Sequence, residues 1–246
     1  MTISWKAVGA TNVGRRRRGN EDAYVADASR GIFLVADGMG GHAAGEIASE
    51  IVSTTVARAL AEARDSGAEG DALVGVLQQA SHTAHAAIVN CCDDDDRYSG
   101  MGTTLTACVI DDAGRCWVGH IGDSRLYRLR DGALEQITHD HTWVQREVDE
   151  GRLGPDSARS HPLSHILTRV LSEDSDPEMD VIADRVRPGD LLLLATDGLY
   201  NMIDDETIAK LLSAADPLAK VATSLIRAAN RAGGSDNITV VLVQVE

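Results

Sequence analysis

Several apolar runs of this chain close on an aspartate beside glycine or another small residue, at Asp37-Gly38, Gly122-Asp123-Ser124 and Asp197-Gly198. The order is mirrored at Gly234-Ser235-Asp236-Asn237, just before a last apolar run, and Glu21-Asp22 precedes a further one. One aspartate after a strand is ordinary turn chemistry; the repetition is what points to a site. If these strands share a sandwich, their carboxylates meet at one edge of it. Carboxylates gathered there raise one another's pKa, and divalent cations resolve the conflict. All-oxygen donors select hard ions, so Mg²⁺ or Mn²⁺ is expected and zinc is not. Two such ions a few ångströms apart can share a hydroxide and polarise a phosphoryl oxygen. Within the run Arg15 to Arg18, Arg17 or a neighbour could hold the remaining phosphate oxygens with its planar guanidinium.

The elements that must position these groups follow from the periodicity. Ile32 to Ala36 is a short apolar run bounded by turn residues, which reads as a buried strand with Asp37 where the backbone leaves the sheet. A stripe from Ala48 to Ala63 predicts an amphipathic helix over 43–64, and a second stripe runs from Leu73 to Ile88. Strand-like runs follow at Thr103–Ile110, Cys116–Ile121, Arg125–Arg130 and Leu134–Thr138, read together as an antiparallel meander. Residues 139–180 are polar, carry Pro155, Pro162 and Pro177, and read as short helices and loops forming a flap. Leu191 to Thr196 is another buried strand, helices are expected over 204–214 and 217–231, and Ile238–Val245 closes the chain. No linker demands a split, so residues 1–246 are expected to form a single catalytic domain with the flap at 139–180.

Composition narrows the function. A net charge of -15 and aromatics of only 3% disfavour nucleic acid, which is bound by clustered cations and stacking rings. The N-terminal stretch Met1 to Lys6 lacks a signal-peptide apolar region, and no run approaches the roughly 18–20 apolar residues of a membrane helix. Cys91, Cys92, Cys108 and Cys116 show no disulfide or metal spacing. A cytoplasmic protein with reduced thiols is expected.

Rival motifs fail on context. Gly38 to Ala43 fits the dinucleotide fingerprint, but two helices intervene where a second parallel strand belongs. Cys91 and Arg97 have the spacing of a cysteine phosphatase loop, yet Asp93 to Asp96 lie between them and would repel a phosphate. His139 and His141 lack a third ligand and read as structural.

Six stretches in order carry a resemblance: Arg17-Arg18-Gly19-Asn20-Glu21-Asp22, Val35 to His42, Gly100-Met101-Gly102-Thr103-Thr104, Gly119 to Arg125, Ala195-Thr196-Asp197-Gly198-Leu199 and Gly234 to Thr239. Together they resemble the motifs of the type 2C (PPM) metal-dependent protein Ser/Thr phosphatases, bacterial branch. The resemblance implies an α+β fold, an α/β/β/α sandwich of two central antiparallel sheets flanked by helices. It implies two Mn²⁺ or Mg²⁺ ions bridged by Asp37, with the Gly38 carbonyl and Asp22, Glu21 nearby, serving one ion, and Asp197 with Asp236 serving the other. Arg17 matches the phosphate-binding arginine, and Asp123, with Asp197, matches a third metal site. The implied partners are phosphoprotein substrates and a cognate Ser/Thr kinase, and a monomer is expected. Met39 stands where many eukaryotic members carry a histidine proposed as general acid, which leaves a metal-bound water as proton donor. Asn201, His165 and Ser172 also depart from the pattern, at the third site and in the flap.

Overall fold

Alternating side chains sort the strands into two sheets, and the helical stripes cover their outer faces. The computed structural model of the chain describes residues 3–40, 43–159, 161–175 and 178–246. Gly41 and His42 of the glycine cluster, Pro177 of the flap, and Met1 and Thr2 lie outside the described residues. In chain order the elements are β1 (Trp5–Asn12), β2 (Asp22–Asp27), β3 (Ile32–Met39), α1 (Ala43–Asp65), α2 (Ala72–Asp94), β4 (Gly102–Thr103), β5 (Leu105–Ile110), β6 (Arg115–Ile121), β7 (Arg125–Arg130) and β8 (Ala133–Gln136). There follow α3 (Trp143–Asp149), α4 (Pro155–Arg159), β9 (Leu171–Ser172), β10 (Asp180–Arg185), β11 (Leu191–Ala195), α5 (Asp197–Tyr200), α6 (Asp205–Leu212), α7 (Leu218–Ala232) and β12 (Ile238–Val245).

One sheet runs β1-β12-β11-β7-β8, the other β10-β6-β5-β3-β4-β9 with β2 on β3, and the pairings described are antiparallel. Successive residues of a strand face opposite sides, which explains why the central strands are apolar throughout. In β3, Ile32 and Leu34 face α1 and α2, while Phe33 and Val35 face the other sheet. In β12, Val241 and Val243 meet that inter-sheet core, and Val240 and Leu242 pack under α6 and α7. Three apolar layers therefore separate four layers of secondary structure, the expected α/β/β/α sandwich.

The meander is corrected. β5 pairs with β6 in one sheet and β7 with β8 in the other, whereas β6 and β7 do not pair. The chain crosses between sheets at Gly122-Asp123-Ser124, where Gly122 takes φ +101, a conformation open to glycine but strained for other residues. That crossing places Asp123 at the sheet edge rather than in a hairpin tip. Thr103–Ile110 is likewise two strands, interrupted at Thr104, and a one-turn helix, α5, follows directly on β11.

The flap is hooked to this crossing. His141 N–H donates to the Gly122 carbonyl (2.8 Å), and Gly122 N–H donates back to His141 Nδ1 (3.1 Å). Nε2 of His141 therefore carries its proton and faces Asp180 Oδ2 at 3.1 Å, which bears out a structural role for this histidine. His120 stacks beneath it with ring centroids 4.8 Å apart, held by Thr106 Oγ1 and the His139 carbonyl. Burial, and then the neighbouring His141, push the His120 imidazole down from 6.5 to about 4. Between those values the unfolded chain binds a proton that the folded chain does not. Stability is thus full above pH 6.5 and falls as pH drops through the window toward 4, by up to about 3 kcal/mol from this residue. The raised acids of the sheet edge titrate in the same window with the opposite sign, so the check is a difference: in urea unfolding followed from pH 7 to 4, the unaltered protein is expected to lose stability relative to His120→Gln by that amount.

Candidate active site at the sheet edge

β2 and β3 set two carboxylates face to face, because their register pairs Asp22 with Asp37. Like charges directly opposite across strands are destabilising, so this pair needs support. Asp22 Oδ2 receives it from two hydroxyls, Thr239 Oγ1 at 2.6 Å and Thr196 Oγ1 at 2.9 Å. Asp37 is fastened through its backbone: its N–H donates to Thr104 Oγ1 (2.9 Å), and its carbonyl accepts from Thr103 Oγ1 and from the Thr104 N–H, both at 2.9 Å. These bonds account for the break between β4 and β5. Asp37 lies inside β3, which runs two residues further than the sequence alone suggests.

Asp197 opens α5, and Asn201 one turn later donates to its Oδ2 at 3.1 Å. Gly198 is required here by close approach, since a Cβ would sit 1.8 Å from the Asn237 carbonyl oxygen. Asp123 is buried at the sheet crossing, its carbonyl accepting from Tyr200 Oη at 2.8 Å. Asp236 accepts from Arg17 Nη2 at 2.7 Å. Asp37, Asp123, Asp197, Asp236, Arg17, Glu21 and Gly38 line one cleft of about 520 Å³, closed on one side by Met39 and the flap residues His165, Ile166, Leu167 and Val170. Asp22 adjoins it opposite Asp37. The carboxyl of Glu21 packs against Gly45 in the first turn of α1.

The electrostatics are those of crowded acids. Burial, and then the charges of Asp22, Asp197, Asp123 and Asp236, drive Asp37 well above the usual carboxylate range. Asp197 is pushed up to about 7 by burial and then by Asp236 and Asp22. Asp123 rises to about 8 through burial, Asp197 and Asp140, and Asp22 to about 7 chiefly through burial, against the two threonine bonds. Among the described residues, Asp22 Oδ1 and Asp197 Oδ1 are buried without a hydrogen-bond partner. Buried carboxylate oxygens left unmatched in this way fit a cation. No three His, Cys, Asp or Glu side chains among the described residues form a ready-made cage around one point. A hydrated hard ion does not need one, because Mg²⁺ usually keeps several waters and takes one or two carboxylates.

Sequence reasoning assigned no role to Thr104, Thr196, Thr239 or Asn237, although all four stand inside the motifs. Asn237 is the staple of the arginine loop. Its Nδ2 donates to the carbonyls of Val13 (3.0 Å) and Gly19 (2.9 Å), and its Oδ1 accepts from the Glu21 N–H (2.8 Å).

A family profile described as Protein phosphatase 2C matches residues 13–242, and the chain belongs to that family. It is 41% identical over 245 residues to the serine/threonine protein phosphatase PstP of Mycobacterium tuberculosis, covering all of this chain but 46% of that protein. The chain thus spans about half the length of that curated relative. It is 37% identical to protein phosphatase PhpP of Streptococcus pneumoniae, over 96% of this chain and 95% of that one. The solved PstP catalytic domain in complex with two manganese ions superposes with a TM-score of 0.87 at 40% identity, each chain 99% covered. The S. agalactiae serine/threonine phosphatase superposes at 0.91 with 35% identity, over 98% of this chain and all of that one.

Removing the Asn237 staple takes away three hydrogen bonds that hold the arginine loop, at about 1 kcal/mol each, or about 3 kcal/mol together. Asn237→Ala is therefore expected to lower unfolding stability by that order in a urea titration. Limited digestion of the same variant should show faster tryptic cleavage within Arg15 to Arg18.

Proposed function

We propose that this chain is a Mn²⁺- or Mg²⁺-dependent protein phosphatase that hydrolyses phosphoserine and phosphothreonine. The observation that carries the reading is the edge itself, where Asp22, Asp37, Asp123 and Asp197 are held above the usual carboxylate range and two buried oxygens lack partners beside Asp236 and a half-exposed arginine. Asp37 would bridge two ions, the Gly38 carbonyl and Asp22 would serve one of them with Glu21 nearby, and Asp197 with Asp236 the other. Asp123 and Asp197 would hold a third, beside the neutral amide of Asn201. When bound, such ions supply an activated water and neutralise charge developing on the phosphoryl oxygens.

The protein's own groups do the positioning. Arg17 commits one nitrogen to Asp236, and the rest of its five-donor fork remains for phosphate oxygens. Thr196 and Thr239 fix Asp22, Thr103 and Thr104 fix Asp37, and Asn237 fixes the loop that carries Arg17. Residues 1–246 act as one catalytic domain, with 139–180 as a flap whose Ile166 and Leu167 wall the cleft. The setting proposed is the cytoplasm, with the chain acting as a monomer against a cognate Ser/Thr kinase. The four unpaired thiols suit a reducing compartment, and among the described residues no helix is long and apolar enough to cross a membrane.

With Mn²⁺ the purified chain is expected to hydrolyse a phosphothreonine peptide and p-nitrophenyl phosphate, and chelation should abolish both activities. Asp37→Asn should cost at least about a hundredfold in kcat and weaken Mn²⁺ binding in a calorimetric titration. Intact hydrolysis in that variant, or none in the unaltered protein, would remove the proposal.

A further inference from the structure

Only Arg17 of the four consecutive arginines is absorbed by the cleft. Arg15 turns the other way, into a separate pocket of about 670 Å³ between β1 and α7, where it meets Arg227 and Arg231. Asn12, Thr223 and Asn230 supply polar lining, and no carboxylate is among the lining residues. This is unusual in a chain with 38 acidic residues and 23 basic ones. Arginines on the sheets are held by acids, as Arg125 is by Asp140 and Arg130 by Asp190. Among the described residues, Arg15, Arg227 and Arg231 make no ion pair. Arg15 Nη1 spends one donor on the Asn230 carbonyl (3.5 Å), and the three cations, with no carboxylate among the lining residues, make a positive patch on a chain of net charge -15.

Two further features describe what fits. The wall offers the Thr223 hydroxyl, which donates to the Ala219 carbonyl and keeps its acceptor capacity for a peptide N–H, a partner that a bare anion cannot supply. The pocket also borders the cleft. Arg15 N–H donates to the Gly234 carbonyl (2.8 Å), Gly14 lies against the Asp236 carbonyl, and Asp236 holds Arg17. Two residues of chain, at most about 7 Å, separate the arginine of the pocket from the arginine of the cleft. An extended peptide with its phosphorylated residue at Arg17 can therefore bring a side chain within about five residues of it to Arg15.

We propose that this pocket docks an acidic, Asp- or Glu-bearing stretch of the substrate protein on one side of the phosphorylated residue. The inference rests on reading the cleft as a phosphatase site. It makes the pocket a specificity determinant, acting on KM and leaving the chemistry at the aspartates alone.

The test compares phosphothreonine peptides that carry three Glu residues before or after the phosphoresidue with peptides carrying Gln in the same places, alongside p-nitrophenyl phosphate, using the full chain with Mn²⁺. In the unaltered protein kcat/KM should be about tenfold higher for Glu on one side only, through KM, in keeping with a few exposed ion pairs. The preference should shrink as salt rises. Arg227→Glu with Arg231→Glu should erase it while p-nitrophenyl phosphate turnover stays unchanged, which also reports that the variant folds; Arg227→Gln with Arg231→Gln should reduce it partly. Equal rates for Glu and Gln peptides in the unaltered protein, or a preference that survives both variants, would overturn the proposal. No turnover of any substrate by the unaltered protein would instead overturn the phosphatase reading. The pocket is then judged by fluorescence anisotropy of a labelled, unphosphorylated Glu peptide, which should bind about tenfold more weakly to the Glu variant; equal binding overturns the docking site.

Discussion

Mutual repulsion among carboxylates is the constraint on which this structure turns. Asp22 and Asp37 stand opposite each other in the ladder, and Asp123, Asp197 and Asp236 arrive from three other segments at the same edge. Left to itself such a group would spread apart or neutralise. It is kept together because each acid is carried by backbone that has no freedom to retreat. Asp37 is inside a central strand, Asp123 is at a sheet crossing clamped by the flap, and Asp197 is in a helical turn pressed against Asn237. The three apolar layers supply the rigidity, and the edge uses it.

The polar support is divided by length. Threonine hydroxyls reach short distances, holding the carboxylate of Asp22 through Thr196 and Thr239 and the backbone of Asp37 through Thr103 and Thr104. The longer asparagine side chain reaches across and binds the arginine loop to the head of β12. One buried amide thereby aligns Arg17 with the acids, since Asp236 is its neighbour in sequence.

Much of this was legible before any coordinates. The layers were legible because the unbroken apolar runs of β3 and β12 and the stripes of α1 and α2 are local patterns that burial enforces. The acids were legible because strand, aspartate and glycine recur in a fixed order. What was hidden depends on partners far apart in sequence. Nothing near Thr239 indicates that its hydroxyl serves Asp22, 217 residues away, and nothing in Gly122-Asp123-Ser124 distinguishes a hairpin from a passage between sheets. The meander failed for that reason: a tight Gly-Asp-Ser turn is compatible with either, and the inter-sheet packing of Val118 and Leu126 decides. The one-turn helix at Asp197 is too short to leave any periodicity.

The facing of Asp22 and Asp37 has a consequence for how such a chain can change. An asparagine at either position would relieve repulsion in the β2–β3 ladder and keep the shape of the side chain. The edge is therefore frustrated by design of its chemistry, a place where selection for hardiness and selection for work pull in opposite directions. A search for sturdier descendants of this protein that watched only their resistance to heat would tend to blunt the edge first.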